Sequence, residues 1–157
     1  MTSTTRIRIF VDADACPVKD EIAKVATRQG LTTIFVSNAW MRLPAGALFE
    51  RQLVADGPDA ADDWIEKEIR ANDICVTQDI PLANRCLTKG ARALSPSGRP
   101  FTSNNIGMAL AVRNLHAHLR ETGGSHSGPR AFTRDDRSRF LQALEQAVQD
   151  VRRGRRM

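Results

Sequence analysis

Ile7-Arg8-Ile9-Phe10-Val11-Asp12-Ala13-Asp14 is an apolar run closed by two carboxylates. Its β-branched and aromatic residues predict a buried strand. Ligands of open α/β sheets bind at the carboxyl ends of the strands, where Asp12 and Asp14 would stand. Pro17 follows, and the periodic stretch from Val18 to Arg28 predicts a helix with that proline in its first turn. A strand that ends in paired acids and feeds a helix is a common way to hold a divalent cation or a phosphoryl group. The plainer role, capping the helix, needs only one acid.

Strand and helix patterns alternate outward from that stretch. Arg6–Val11 and Leu31–Val36 read as strands around a helix over Pro17–Gln29, which Gly30 stops. Gln52–Ala55 is a short strand candidate, Pro58–Arg70 a helix and Asp73–Thr77 a strand. Pro81–Lys89 reads as a helix stopped by Gly90, and Ala91–Leu94 as a further strand. This alternation predicts an α/β fold with a mainly parallel sheet and helices on both faces. The last third differs. Ser103 can cap a helix running to about Arg120, residues 123–129 form a Gly/Ser-rich linker, and Thr133 caps a final helix with Asp136 three residues on. The expected organisation is one domain over 1–157, with an α/β core over 6–95, a helical extension over 102–152 and a disordered tail over 153–157.

Composition narrows the function classes. With 157 residues and 41% hydrophobic content the chain can bury a core, yet no segment approaches the ~20 apolar residues of a membrane span. Met1-Thr2-Ser3-Thr4-Thr5 lacks the apolar stretch of a signal peptide. Cys16, Cys75 and Cys86 are an odd set without metal-type spacing, so a reducing cytoplasm is the expected location. Residues 113–157 carry 10 arginines against 5 acids and account for the whole net charge of +5. Arginine grips phosphate through a bidentate fork, so an RNA partner is expected at Arg130, Arg134, Arg137 and Arg139. A solvated helix face is the alternative for the same residues. Aromatic residues, at 5% with no Tyr, are too few to predict a stacking platform.

Three places put acids at the carboxyl side of the expected sheet. Asp12 and Asp14 are the first; Asp59, Asp62 and Asp63, in the first turns of a helix, are the second; Asp79, two residues after a strand, is the third. Asp59 and Asp63 share one helix face and Asp62 lies a step around it. Right-handed crossovers bring the strand ends to one edge. Carboxylates gathered there repel one another until a proton or a cation intervenes. Oxygen ligands select Mg²⁺ or Mn²⁺, which can activate water and stabilise the leaving oxygen of a phosphodiester. Alone, the middle acids would fit a helix N-terminus equally well. No phosphate-binding glycine loop is present, and His116 and His118, two apart, point to different helix faces.

Phe10-Val11-Asp12-Ala13-Asp14-Ala15-Cys16-Pro17-Val18-Lys19 closely resembles the opening of the YaiI/YqxD family of bacterial proteins. Gly57-Pro58-Asp59-Ala60-Ala61-Asp62-Asp63-Trp64-Ile65, Val76-Thr77-Gln78-Asp79-Ile80-Pro81-Leu82-Ala83 and Gly128-Pro129-Arg130-Ala131-Phe132-Thr133 resemble it too. The resemblance covers about residues 6–150. It implies a fold similar to PIN and NYN nuclease domains, a three-layer α/β/α arrangement with acids around a divalent metal and a carboxy-terminal helical extension. It implies Asp12 as the first-strand acid, Asp62 or Asp63 as the middle-helix acid, Asp79 as the late-strand acid and Thr77 as a nearby hydroxyl. Asp14 and Asp59 would be outer or second-metal groups. The nuclease description rests on fold analogy.

The leading expectation is therefore a Mg²⁺- or Mn²⁺-dependent RNA endonuclease, with Asp12, Asp63 and Asp79 as catalytic ligands. An RNA-binding or regulatory module with an inactive site is the alternative. A phosphatase of the haloacid-dehalogenase kind would use Asp12 as nucleophile, Asp14 as acid/base and Thr77 as phosphate ligand. That reading lacks its late strand ending in paired acids, since Asp135-Asp136 lies at a helix start.

Overall fold

The computed structural model describes residues 7–14, 16–57, 59–108, 110–112 and 132–154. Along the chain run β1 (Arg8–Asp12), α1 (Lys19–Gln29), β2 (Thr32–Ser37), β3 (Phe49–Leu53), α2 (Ala60–Glu68), β4 (Ile74–Val76), α3 (Ile80–Thr88), β5 (Arg92–Leu94) and β6 (Pro100–Phe101). Helical residues 103–108 and 110–112 (α4) and the long α5 (Arg134–Arg152) follow. Arg130, His116, His118, His126, the 123–129 linker and residues 155–157 lie outside the described residues.

The six strands form one sheet in the order β3-β2-β1-β4-β5-β6, with only the β5–β6 pair antiparallel. From β1 the chain builds outward through β2 to β3, then crosses back to β4 on the other side of β1. The strand order thus reverses between β1 and β4, and at such a switch point the carboxyl ends leave a crevice.

Side chains of period 2 divide the core between two faces. Ile9, Val11, Phe35, Ile74, Val76 and Leu94 pack with α1 and α5, through Ile22, Val25, Phe140, Leu144 and Val148. Phe10, Ile34, Val36 and Cys75 pack with α2 and α3, through Ile65, Ile69, Leu82 and Cys86. The result is a three-layer α/β/α fold. Gly30 ends α1 at φ 70°, the left-handed turn that glycine adopts without steric cost.

Three features depart from the sequence pattern. The third strand covers Phe49–Leu53 rather than Gln52–Ala55. As an edge strand it carries Glu50, Arg51 and Leu53 exposed, so it has no continuous apolar run to reveal it. The two-residue β6 was not expected at all. Third, α5 belongs to the main core, because Phe140, Leu144 and Val148 are fully buried there. It runs alongside α1 in the same direction. Near the start of both helices, Arg137 Nη1 donates to the Pro17 carbonyl at 2.6 Å. Towards their ends, Arg28 pairs with Glu145 and Arg152 bonds Gln29. Gly98, at φ 88°, lies where a Cβ would come within 2.7 Å of the Arg139 backbone, so the 95–98 turn seats directly on α5. Thr133 and Asp136 form the expected capping box, and backbone bonds from Arg153 and Gly154 close the helix.

The amino-terminal edge of the sheet is locked by one buried acid. Asp73 accepts Arg8 Nη2 at 2.8 Å, the Arg8 amide at 3.1 Å and the Arg70 amide at 2.9 Å. Its side chain is 2% exposed and that of Arg8 25%. Removing one partner of a buried pair costs about 3–5 kcal/mol, and the partly exposed Arg8 places this pair at the lower end. Asp73→Ala should therefore lower the unfolding free energy by about 3 kcal/mol in urea titrations. A loss under about 1 kcal/mol would show that solvent screens the pair as on a surface.

Candidate functional site

β1 delivers Asp12 to the switch point, and β4 delivers Thr77 and then Asp79 beside it. Thr77 is 1% exposed and its hydroxyl has two fixed partners. Oγ1 donates to Asp12 Oδ2 at 2.8 Å and accepts the Asp79 amide at 2.9 Å. Asp79 is the N-cap of α3, its Oδ1 accepting the Leu82 amide at 2.9 Å. The α3 dipole favours a negative charge there. The helix is short, but Pro81 in its first turn fits the preset backbone.

The third acid comes from α2. Asp62 and Ile65 are its buried residues, and Ile69 continues the same face at the C-cap. This face turns Asp62 towards Asp79 and Asp12. Burial and the neighbouring charges of Asp79 and Asp12 push its carboxyl up to about 7, and a hydrogen bond shared with Asp79 adds to the rise. Arg85 opposes the shift. Asp12 is also raised, first by burial, then by Asp79 and Asp14, with the Thr77 bond working against the rise. Burial and mutual charge thus act together on Asp12 and Asp62. Among the described residues no group of three or more His, Cys, Asp or Glu side chains is placed to hold a metal ion as it stands.

The remaining acids stand apart from this group in different degrees. Asp14 is exposed, accepts the Asn38 amide at 3.4 Å and lines a cleft of about 120 Å³ with Asp12, Cys16, Gln78 and Pro96. Asp63, the expected catalytic acid of α2, is 69% exposed and pairs with Arg85 at 3.2 Å. Asp59 is an exposed N-cap residue whose side chain makes no capping bond. The structure therefore brings together Asp12, Asp62 and Asp79, keeps Asp14 at the rim, and turns Asp59 and Asp63 outward. One residue step on a helix is about 100°, which is why adjacent Asp62 and Asp63 face differently.

Several site residues carried no strong signal in the sequence. Arg85 bonds Asp63 and Glu66, at 3.2 and 3.4 Å, while lowering the Asp62 carboxyl from the other side. Its place on α3 opposite α2 follows only from the packing of the two helices. Cys16 lines the cleft, and burial raises its thiol, which keeps it protonated. Of the expected nucleic-acid contacts, Arg137 turns inward onto Pro17, Glu21 and the Phe132 ring, whose centroid is 5.1 Å from its guanidinium carbon. Arg139 reaches Asp136 at 3.5 Å but remains 61% exposed, and Arg134 is exposed at the first turn of α5.

The family profile of the YaiI/YqxD proteins, described as uncharacterised, matches residues 10–150. A UPF0178 protein of Parvibaculum lavamentivorans is 57% identical over 145 residues, 92% of this chain and 95% of its own length. One from Rhodopseudomonas palustris is 54% identical over 148 residues, 94% of each chain. One from Paramagnetospirillum magneticum is 52% identical over 146 residues, 93% of this chain and 97% of its own. No solved structure matches the chain.

The raised Asp62 carboxyl makes metal-free stability depend on pH with a definite sign. Between the usual carboxylate value and about 7 the native state holds a proton that the unfolded state has released. Stability then falls as pH rises through that window. In EDTA the melting temperature should drop between pH 5 and pH 8, and Asp62→Asn should flatten the drop. A profile unchanged by that substitution would show that Asp62 is not the group that titrates.

Proposed function

The chain belongs to the YaiI/YqxD family, and we propose that it is a divalent-metal-dependent ribonuclease working at the Asp12–Asp62–Asp79 cluster. One observation carries the proposal. Thr77 ties Asp12 and Asp79 together at the crevice where the strand order reverses, and Asp62, buried on α2, lies close enough for both to act on its carboxyl. Among the described residues no salt bridge reaches any of the three.

The donor atoms have the chemistry of a hard-cation site, and a bound ion would have to draw the three side chains closer together. They are carboxylate oxygens, and the raised Asp62 carboxyl is one where a cation and a proton would compete. Mg²⁺ or Mn²⁺, when bound by Asp12, Asp62 and Asp79 with Asp14 at the rim, would supply Lewis-acid activation of water and stabilisation of a leaving oxygen. The chain's own residues do the positioning. Thr77 holds Asp12 by donating its only hydroxyl proton, and the Leu82 amide holds Asp79. A hydroxyl so committed acts as a brace and is a poor phosphate donor, which disfavours the phosphatase chemistry. Arg134 and Arg139 at the start of α5 supply exposed cations on the flank where Pro17 and the 95–98 turn meet that helix.

Millimolar Mn²⁺ should raise the melting temperature of the wild type, since a ligand of the native state stabilises it. Asp12→Asn should abolish that rise and the slow, EDTA-sensitive cleavage of single-stranded RNA. Cleavage that survives the substitution or EDTA would be contamination, and an unchanged melting temperature would remove the metal site.

The arginines should divide by their contacts. Arg134→Ala should weaken RNA binding and reduce the salt slope by about 0.7 for one lost phosphate contact. Arg137→Ala should instead cost about 1–2 kcal/mol of stability, through the lost bond to the Pro17 carbonyl. Equal slopes for wild type and Arg134→Ala, in RNA titrations at several salt concentrations, would make Arg134 an ordinary solvated side chain.

A further inference from the structure

Trp40 is the most exposed aromatic side chain among the described residues, at 68%. It is not loose. The Arg51 guanidinium lies over its ring, 4.9 Å from the centroid. That guanidinium is itself fixed, with Nε and Nη2 both donating to the Met41 carbonyl at 3.2 and 3.0 Å. One ring face is thus backed by a held cation, while the exposure leaves the other open to solvent. Arg42 is exposed beside it.

Its position follows from the end of β2. Ser37 closes the strand next to β1, and its hydroxyl donates to the Ala39 carbonyl at 2.6 Å, shaping the turn. The next residue, Asn38, donates its amide to Asp14 at the rim of the acidic cleft. A chain advances at most about 3.6 Å per residue, so the Trp40 backbone stands within about 7 Å of Asn38. A flat, cation-backed indole therefore stands near the carboxyl edge of the sheet, over Arg51 of β3, two strands out from β1 and the cleft.

We propose that the Trp40–Arg51 pair is a stacking platform for a base of a single-stranded nucleic acid whose backbone runs past the acidic cleft. This rests on the ribonuclease reading and names what the site would take. Every base presents a π-face, so stacking is tolerant of sequence, and a base set on the open indole face keeps Arg51 on the other. The strand's phosphates would meet Arg51 and Arg42 on this side of the cleft. Base–aromatic stacking contributes about 1–3 kcal/mol per base by alanine substitution, which corresponds to about 5- to 150-fold in affinity.

The test is a fluorescence titration in EDTA. Trp64, half-buried against Phe10, is first replaced in a Trp64→Phe variant so that Trp40 alone reports. The probes are an unstructured RNA oligonucleotide, an abasic strand of equal length and inorganic polyphosphate. The RNA should quench Trp40, and the other two should bind with little quenching. In the wild-type background, followed with labelled RNA, Trp40→Ala should weaken binding by at least 5-fold while Trp40→Phe retains most of it. Equal affinity for Trp40→Ala, or equal quenching by polyphosphate, overturns the platform. A concentration-dependent change in sedimentation that Trp40→Ala abolishes assigns the ring to a second copy of the chain and also overturns it. The Mn²⁺-induced rise in melting temperature of Trp40→Ala separates the two readings. If the rise persists while RNA affinity is unchanged, only the platform fails; if the wild type shows no rise, the metal reading fails independently.

Discussion

Three carboxyl groups gathered at the β1–β4 crevice are the constraint that the surrounding structure must bear. Separated carboxylates would be more stable, so their convergence has to be imposed. β1 lies inside the sheet, paired to β2 on one side and β4 on the other, and Asp12 ends a strand that cannot shift register alone. A slip of one residue would turn Ile9 and Val11 out of one core and Phe10 out of the other. Asp79 is pinned by the Leu82 amide and, through its own amide, by Thr77. Asp62 is carried by a helix whose Ile65 and Ile69 are fully buried. No single member of the group can move away without breaking packing elsewhere. The strain shows instead in the Asp62 carboxyl, which burial and the charges of Asp79 and Asp12 raise to about 7.

The two edges of the same sheet treat acids differently, and the contrast bears on function. At the amino-terminal edge Asp73 receives a guanidinium and two backbone amides, which is how a buried carboxylate is made harmless. At the opposite edge Asp12 receives one hydroxyl and Asp79 one amide. Arg85, whose charge acts against the rise of Asp62, spends its direct contacts on Asp63 and Glu66. A fold able to satisfy Asp73 so fully could have placed a cation among the other three. That the acids are braced but not neutralised favours a binding role over a structural one.

Legibility in the sequence tracked burial. β1, β2 and β4 carry unbroken apolar residues because both of their faces are covered, and their positions could be read directly. β3 and β6 are the two edge strands, and their residues resemble loop. For the site, the placement of acids after strands was readable, since parallel crossovers fix which edge they share. The choice between Asp62 and Asp63 was not, because only the rotation of α2 against the sheet decides it. Trp40 was hidden for another reason. A low aromatic content says nothing about where the few aromatics sit, and the Arg51 partner is 11 positions away on a neighbouring strand.

α5 shows the same limit from the side of charge. Its arginines look alike in sequence, yet packing sorts them by their angle around the helix. Phe140, Leu144 and Val148 must face the sheet, so residues flanking that stripe meet α1. Arg137 and Arg152 fall there and bond to the Pro17 carbonyl and Gln29. Arg134 and Arg139 point elsewhere and keep their exposure. Because α5 runs in the same direction as α1, its first turn reaches the carboxyl edge of the sheet while its last turn lies at the amino edge. The described arginines of α5 are thus divided: Arg137 and Arg152 clamp the helix to α1, and Arg134 and Arg139 are exposed charge near its start. Net charge alone could not separate these uses, since a guanidinium satisfied by a carbonyl still counts as a positive charge in the total.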